Sequence, residues 1–235
     1  MTGMWSLLSH GALMWITLTV AAFWLADLMA RMAGRHPLVN PVLIAVVLLI
    51  GLLLWTGTTY DTYFQGAQLI HVLLGPATVA LALPIRDNLH HMRRAALPLL
   101  AALVAGSVTA AVSAVGIAWA FGLNGAMLAS LAPKSATAPV AMGIAEHLGG
   151  IPTLTVGMVL LTGMTGAIIV TPLMNLLGIR DWRARGFAVG VAAHGIGTAR
   201  ALQVHPVAGA FAGLGMGLNA ILTAFIAPWA LGLFR

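Results

Sequence analysis

The chain has 235 residues, of which 60% are hydrophobic and only 7% charged, and its mean hydropathy is +1.00. A soluble domain carries about 25% charged residues, so lipid must cover much of the exterior, and a soluble enzyme or binding domain is excluded. Cysteine is absent, which excludes disulfides and thiolate chemistry. The net charge of +6 comes from 11 basic and 5 acidic residues; the basic ones sit in short loops, where they set membrane orientation and do not call for nucleic acid.

The apolar runs are continuous and of helical length, so a β-barrel, with its short alternating segments, is excluded too. Met1 to Gly11 has no basic region, so no cleavable leader is expected and the first run, Leu13 to Met29, is retained. A basic loop with Arg31, Arg35 and His36 follows, and then a second run from Pro41 to Trp55. The polar connection Thr56 to Gln65 leads into a third run, Ala67 to Pro84, interrupted at Gly75-Pro76. A long basic loop holds Arg86, His90, His91, Arg93 and Arg94, and the fourth run is Ala95 to Phe121.

Ser130 to Gly150 is not cleanly apolar: it carries Pro133, Lys134, Ser135, Thr137, Pro139, Glu146 and His147. Leu154 to Leu177 is apolar again, and a basic loop with Arg180, Arg183 and Arg185 follows. A glycine-rich segment, Gly186 to Leu202, holds His194, Thr198 and Arg200 before the last run, Val207 to Phe234.

If the three basic loops face the cytoplasm, the stretch 126–150 must begin and end outside. The economical solution is a re-entrant pair of half-helices broken near Pro133 to Pro139; the alternative is an eighth full span with one loop against the charge rule. The expected fold is therefore an all-α, polytopic membrane domain of seven or eight segments. Gly186 to Leu202 is read as one crossing. Two triplets of opposite orientation then form inverted repeats, about 38–122 and 126–235. His71 to Leu81 resembles His194 to Leu202, each with a His, a Gly, and a break containing Thr. Inverted repeats with paired broken helices point to a transporter site near the midplane.

Charge inside apolar helices narrows the site. Arg200 costs about 2.5–3.5 kcal/mol at mid-membrane, so it is a candidate anion ligand, or else an arginine snorkelling near a helix end. Lys134, with Ser135 and Thr137, lies at a break where a following helix would present free N–H groups; the alternative is a loop lysine in water. Pro76 and Thr78 offer a similar helix end without a charge, or a simple kink. Thr198 adds a hydroxyl. His194 could relay a proton or bond substrate, and Asn219 could line the site or bond across helices. Gly209, Gly213 and Gly217 are expected to form a close-packing face. No Walker loop, nucleophile elbow or metal-ligand pair appears, so no enzymatic activity, cofactor or metal is expected.

Four stretches carry a family resemblance: Leu74 to Pro84, Pro133 to Met142, Gly149 to Pro152, and Ala193 to Leu202. On these the chain resembles the LrgB/CidB family of bacterial membrane proteins. The resemblance implies either secondary transport of small organic anions such as glycolate, glycerate or pyruvate, or a non-transporting regulator of murein hydrolase activity and cell lysis. It further implies a multi-pass protein of the inner (plasma) membrane, with room for an LrgA-like partner subunit. By analogy with transporters whose scaffolds pair, a homodimer is the expected assembly.

Overall fold

A computed structural model describes residues 10–36, 39–73, 76 and 89–234. The described residues are helical apart from connecting turns, with no strand among them. The chain divides into two compact units, Met1–Ala80 and Leu81–Arg235.

The first unit contains α1 (His10–Met32), α2 (Pro41–Thr56) and α3 (Tyr60–Val72). Asn40 caps α2 by accepting from the backbone N–H groups of Val42 and Leu43, and Gly57 ends it in the left-handed conformation at φ 64°. Gly66 on α3 lets the chain come against the Trp15 ring. Trp15 meets Tyr63 edge-to-face at 5.6 Å, and the Tyr63 hydroxyl lies 3.1 Å from that of Thr19. Asp27 pairs with Arg31 at 2.5 Å and Arg35 at 3.5 Å, which closes the basic end of α1.

The second unit contains α4 (Leu89–Arg94), α5 (Ala96–Ala120), α6 (Gly125–Leu131), α7 (Ala138–His147), α8 (Pro152–Leu176), α9 (Trp182–Val204) and α10 (Pro206–Gly232). Helices α5 and α10 run parallel. Leu103 packs with Ala210 and Phe211, Ala111 with Ile226 and Ala230, and Val115 with Ala227 and Leu231, so residue numbers rise together along both. This seam is the core of the unit; Phe211, Ala227 and Ala230 are fully buried.

Two hairpins insert beside that seam from opposite ends. The first is α6–α7, and the expected break is there: α6 stops at Leu131 and α7 starts at Ala138. Its base is closed. Ile151 donates its N–H to the Ser130 hydroxyl at 2.7 Å, and Thr155 donates to the Ser130 carbonyl at 3.1 Å. A chain that leaves at Ser130 and returns to it by Ile151 has not travelled the roughly 30 Å of a bilayer core. Leu128, Ala129 and Ala132 pack on Val115, Ala118 and Leu231, so this hairpin enters from the end where α5 and α10 finish.

The second hairpin is α9 itself. Its 23 residues would make a straight rod about 33 Å long, yet its ends meet: the Trp182 ring stacks on His205 at 4.9 Å and 5°. The reversal lies at Ala193 (φ −126°, ψ 16°) and His194 (φ 42°, ψ −135°). A Cβ on Gly197 would lie 3.0 Å from the Val189 carbonyl oxygen, eight residues back. The arm 182–192 runs parallel to α10, with Gly186 against Ala208 and Gly190 against Ala212. The arm 195–204 runs antiparallel, with Gly195 near Met216 and Leu202 on Gly209. Gly186 to Leu202 therefore does not cross once, as its apolar length suggested; it goes in and returns. Backbone carbonyls of α10 occupy the space of the missing side chains at Gly186 and Gly190, which is why these positions are glycine.

Asp181 caps α9 by accepting from the Arg183 N–H at 2.8 Å. The Arg183 guanidinium bonded to it holds its carboxyl below the usual range. Four helices among the described residues are long and apolar enough to cross a membrane: Gly11–Met32, Ala96–Ala120, Pro152–Leu176 and Pro206–Gly232. The apolar helix Pro41–Thr56 is shorter.

Candidate functional site

The two hairpin tips reach the middle of α10. From one side, the Asn219 amide donates to the Ser135 carbonyl at 2.9 Å. From the other, the Thr198 hydroxyl lies 3.9 Å from the Met216 sulfur, and Gly195 is beside the same sulfur.

Lys134 sits in the α6–α7 turn, half-buried, with its ammonium 3.4 Å from the Ser135 hydroxyl. It is the one lysine in the chain. No carboxylate among the described residues comes within 4.0 Å of it. Ser135 is buried, and Thr137 stands at the N-cap of α7 without a side-chain cap bond.

His194 is buried at the other tip. Its Nε2 lies 2.9 Å from the Val159 carbonyl oxygen of α8; a carbonyl only accepts, so Nε2 carries the proton. Gly163 makes room for the ring, since a Cβ there would press on it. Thr198 donates to the His194 carbonyl at 2.8 Å and so ties the second arm to the reversal.

The helix directions matter for the electrostatics. The N-terminal ends of α7 and of the arm 195–204 both point to this centre, and these ends attract anions. The C-terminal ends of α6 and of the arm 182–192 arrive there too and act in the opposite sense. The helix ends thus partly offset one another, and Lys134 adds an amine in the turn between α6 and α7.

Other expected site residues lie elsewhere. Arg200 is half-buried and lines a small cavity of about 30 Å³ with Arg185, Trp182 and Thr171, toward the base of the second hairpin. Arg185 there donates to the Ile179 carbonyl and to Asn175, under the Trp182 ring. Six residues separate Arg200 from the tip, about 9 Å of helix. Asn219 is buried, and its side-chain amide bonds with Ser107, Ser135 and Thr223. Thr78 falls outside the described residues; Pro76 is exposed, and the residues flanking it also fall outside them. Glu146 and His147 are exposed at the end of α7. Of the expected glycine face on α10, Gly209 packs on Leu202 but Gly217 meets nothing within 4 Å; Gly186 and Gly190 make the closest approaches.

Sequence reasoning did not single out Ser107, Thr155 or the structural part played by Ser130. The available signal was faint: a small polar residue inside an apolar run, which in a membrane helix marks a face turned to another element.

A sequence profile of the LrgB-like family matches residues 19–233. An uncharacterized protein, YxaC, of Bacillus subtilis (strain 168) is 37% identical over 95% of this chain and 97% of its own length. Holin-like protein CidB of Staphylococcus aureus (strain Mu50 / ATCC 700699) is 31% identical over 95% of this chain and 97% of its own. An uncharacterized protein of Haemophilus influenzae is 33% identical over 90% of this chain and 91% of its own. No solved structure matches the chain.

Proposed function

The chain belongs to the LrgB-like family of membrane proteins, and from that premise we propose that it is a secondary transporter of small organic anions such as glycolate, glycerate or pyruvate. The observation that carries this reading is Lys134. A lysine among apolar helices is costly to insert, and this one has no carboxylate beside it among the described residues. It stands at the meeting point of two helix reversals, where irregular backbone is tolerated because it lines protein or water.

Alternating access is supported by the arrangement of the second unit. Residues 125–176 are a hairpin followed by a long helix, and so are 182–232, with hairpins entering from opposite ends. In this reading the two are inverted about the shared centre, in place of the expected repeats of about 38–122 and 126–235, and such inversion is what transporters use. Each hairpin then separates the centre from one side of the membrane. In this reading 126–150 is re-entrant, the carboxylate lies against Lys134 and Ser135, and His194 is the group available to carry a coupled proton. The protein sits in the inner membrane, as a homodimer or with an LrgA-like subunit.

A second reading is favoured by the staphylococcal relatives' name, holin-like protein CidB: a non-transporting, LrgB-type regulator of murein hydrolase activity and lysis that works with an LrgA-like partner. Purified protein in liposomes separates the two. The transport reading expects saturable uptake of labelled glycolate, glycerate or pyruvate by this chain alone. Absence of uptake for all three contradicts it and leaves the regulator.

A further inference from the structure

Asn219 lies at the midpoint of α10 and is 1% exposed. Its carbonyl oxygen accepts from the Ser107 hydroxyl of α5 at 2.6 Å and from the Thr223 hydroxyl at 3.4 Å. Its NH₂ donates to the Ser135 carbonyl at 2.9 Å. These contacts form one line: α5, α10, then the turn that carries Lys134.

The turn has little else to hold it. Its own bonds are local, Lys134 N–H to the Leu131 carbonyl at 3.1 Å and Ala136 N–H to the Pro133 carbonyl at 2.9 Å. Among the described residues, the Asn219–Ser135 bond is the one hydrogen bond from residues 132–137 to an element outside this hairpin. The Lys134 ammonium also donates to the Ser135 hydroxyl, at 3.4 Å. Fixing the Ser135 carbonyl therefore fixes the backbone from which both the ammonium and its hydroxyl neighbour project.

We infer that Asn219, oriented by Ser107, is a positioning residue that sets where the Lys134 ammonium stands and so how tightly the site holds a carboxylate. The inference rests on the reading of Lys134 as the anion's contact and adds the device that aims it. A purely structural bond between α10 and the turn would give stability alone. A positioning bond changes the chemistry of a group it does not touch.

The single lysine makes the difference measurable. Acetic anhydride acylates amines, and here the reactive amines are Lys134 and the N-terminus, which peptide mapping by mass spectrometry separates. Asn219→Leu keeps about the same volume, adds no charge near Lys134, and removes both the donor to Ser135 and the acceptor for Ser107. Ser107→Ala leaves Asn219 and Ser135 in place but frees the amide to turn. Labelling rates are measured without ligand and then with glycolate or pyruvate as protectant, beside thermal unfolding in detergent.

The expected result is a severalfold change in the Lys134 labelling rate in Asn219→Leu, a smaller change in Ser107→Ala, and anion protection weakened about tenfold, the scale of one hydrogen bond. Folded variants that label and protect as the wild type does, while melting earlier, would overturn the inference. If Asn219→Leu does not fold, Ser107→Ala carries the same comparison. If no carboxylate protects the wild-type lysine, the anion-site reading fails, and the labelling rates without ligand still decide whether Asn219 positions Lys134.

Discussion

The Trp182 and His205 rings lie 4.9 Å apart and within 5° of parallel, although they bound a helical segment of 23 residues. That contact turns a segment with the length of a membrane span into a hairpin. Together with the Ser130–Ile151 closure, it places a reversal on each side of α10 and brings the two tips to its middle. The predictions follow from this geometry.

Both ends of each hairpin should face the same compartment. The natural chain has no cysteine, so single cysteines can be introduced cleanly. Asn124→Cys and Gly149→Cys flank the first hairpin; Ile179→Cys and His205→Cys flank the second. A membrane-impermeant maleimide added to intact cells should distinguish the first pair, labelled together, from the second pair, labelled together from the opposite side. Opposite accessibility of positions 124 and 149 would mean a full span and refute the hairpin.

Packing of the second hairpin on α10 depends on missing side chains. Gly186→Ala and Gly190→Ala drive a methyl into the backbone carbonyls of Ala208 and Ala212, which cannot swing aside as a flexible side chain would. Each should cost at least the 1–3 kcal/mol, roughly, of an overpacked core. Gly217→Ala, which meets open space, should leave thermal unfolding in detergent nearly unchanged. Equal effects at all three would show that the arm does not lie on α10.

The reversal at His194 should be tested by substitution in pairs. At φ 42° and ψ −135° a residue with a Cβ is strained by about 1–3 kcal/mol. His194→Ala keeps the strain and loses the bond to the Val159 carbonyl, whereas His194→Gly loses the bond and relieves the strain. The glycine variant should be the more stable by about 1 kcal/mol. The opposite order in unfolding experiments would place the reversal elsewhere.

Ser130 closes the first hairpin through both its hydroxyl and its carbonyl. Ser130→Ala leaves the Ile151 N–H without that acceptor, a loss of about 1–3 kcal/mol, and should raise protease sensitivity in the 131–149 segment before the rest of the unit. Ser130→Thr retains a hydroxyl and should lie between alanine and wild type. Unchanged stability and cleavage in the alanine variant would show that this bond does not hold the hairpin.

Much of this architecture was legible in the residues, but unevenly. Composition alone demanded lipid, and Pro133 and Pro139 flanking Lys134 marked a break that the structure contains. The second break was signalled by the glycines around His194. Its direction was not: a hairpin of two short arms and a continuous span share one hydropathy profile. They differ only in contacts between residues distant in sequence, such as Trp182 with His205 and Gly197 with Val189. The same non-locality separated the candidate ligands. Lys134, Ser135, His194 and Thr198 come to the middle of α10, while Arg200, close to them in sequence, lines a separate cavity with Arg185 and Trp182. Asn219 was singled out as polar, but whether it lines a site or braces one depends on Ser107, 112 residues away.

The central claim is that the Lys134 ammonium holds the transported carboxylate. The most direct measurement is initial uptake of labelled glycolate or pyruvate by liposomes containing the wild type, Lys134→Arg or Lys134→Gln, at matched protein content and melting temperature. Uptake should fall at least about tenfold in the glutamine variant, the scale of losing one charge-assisted hydrogen bond, and be partly retained by arginine. Wild-type uptake that survives undiminished in a folded Lys134→Gln protein would contradict the account.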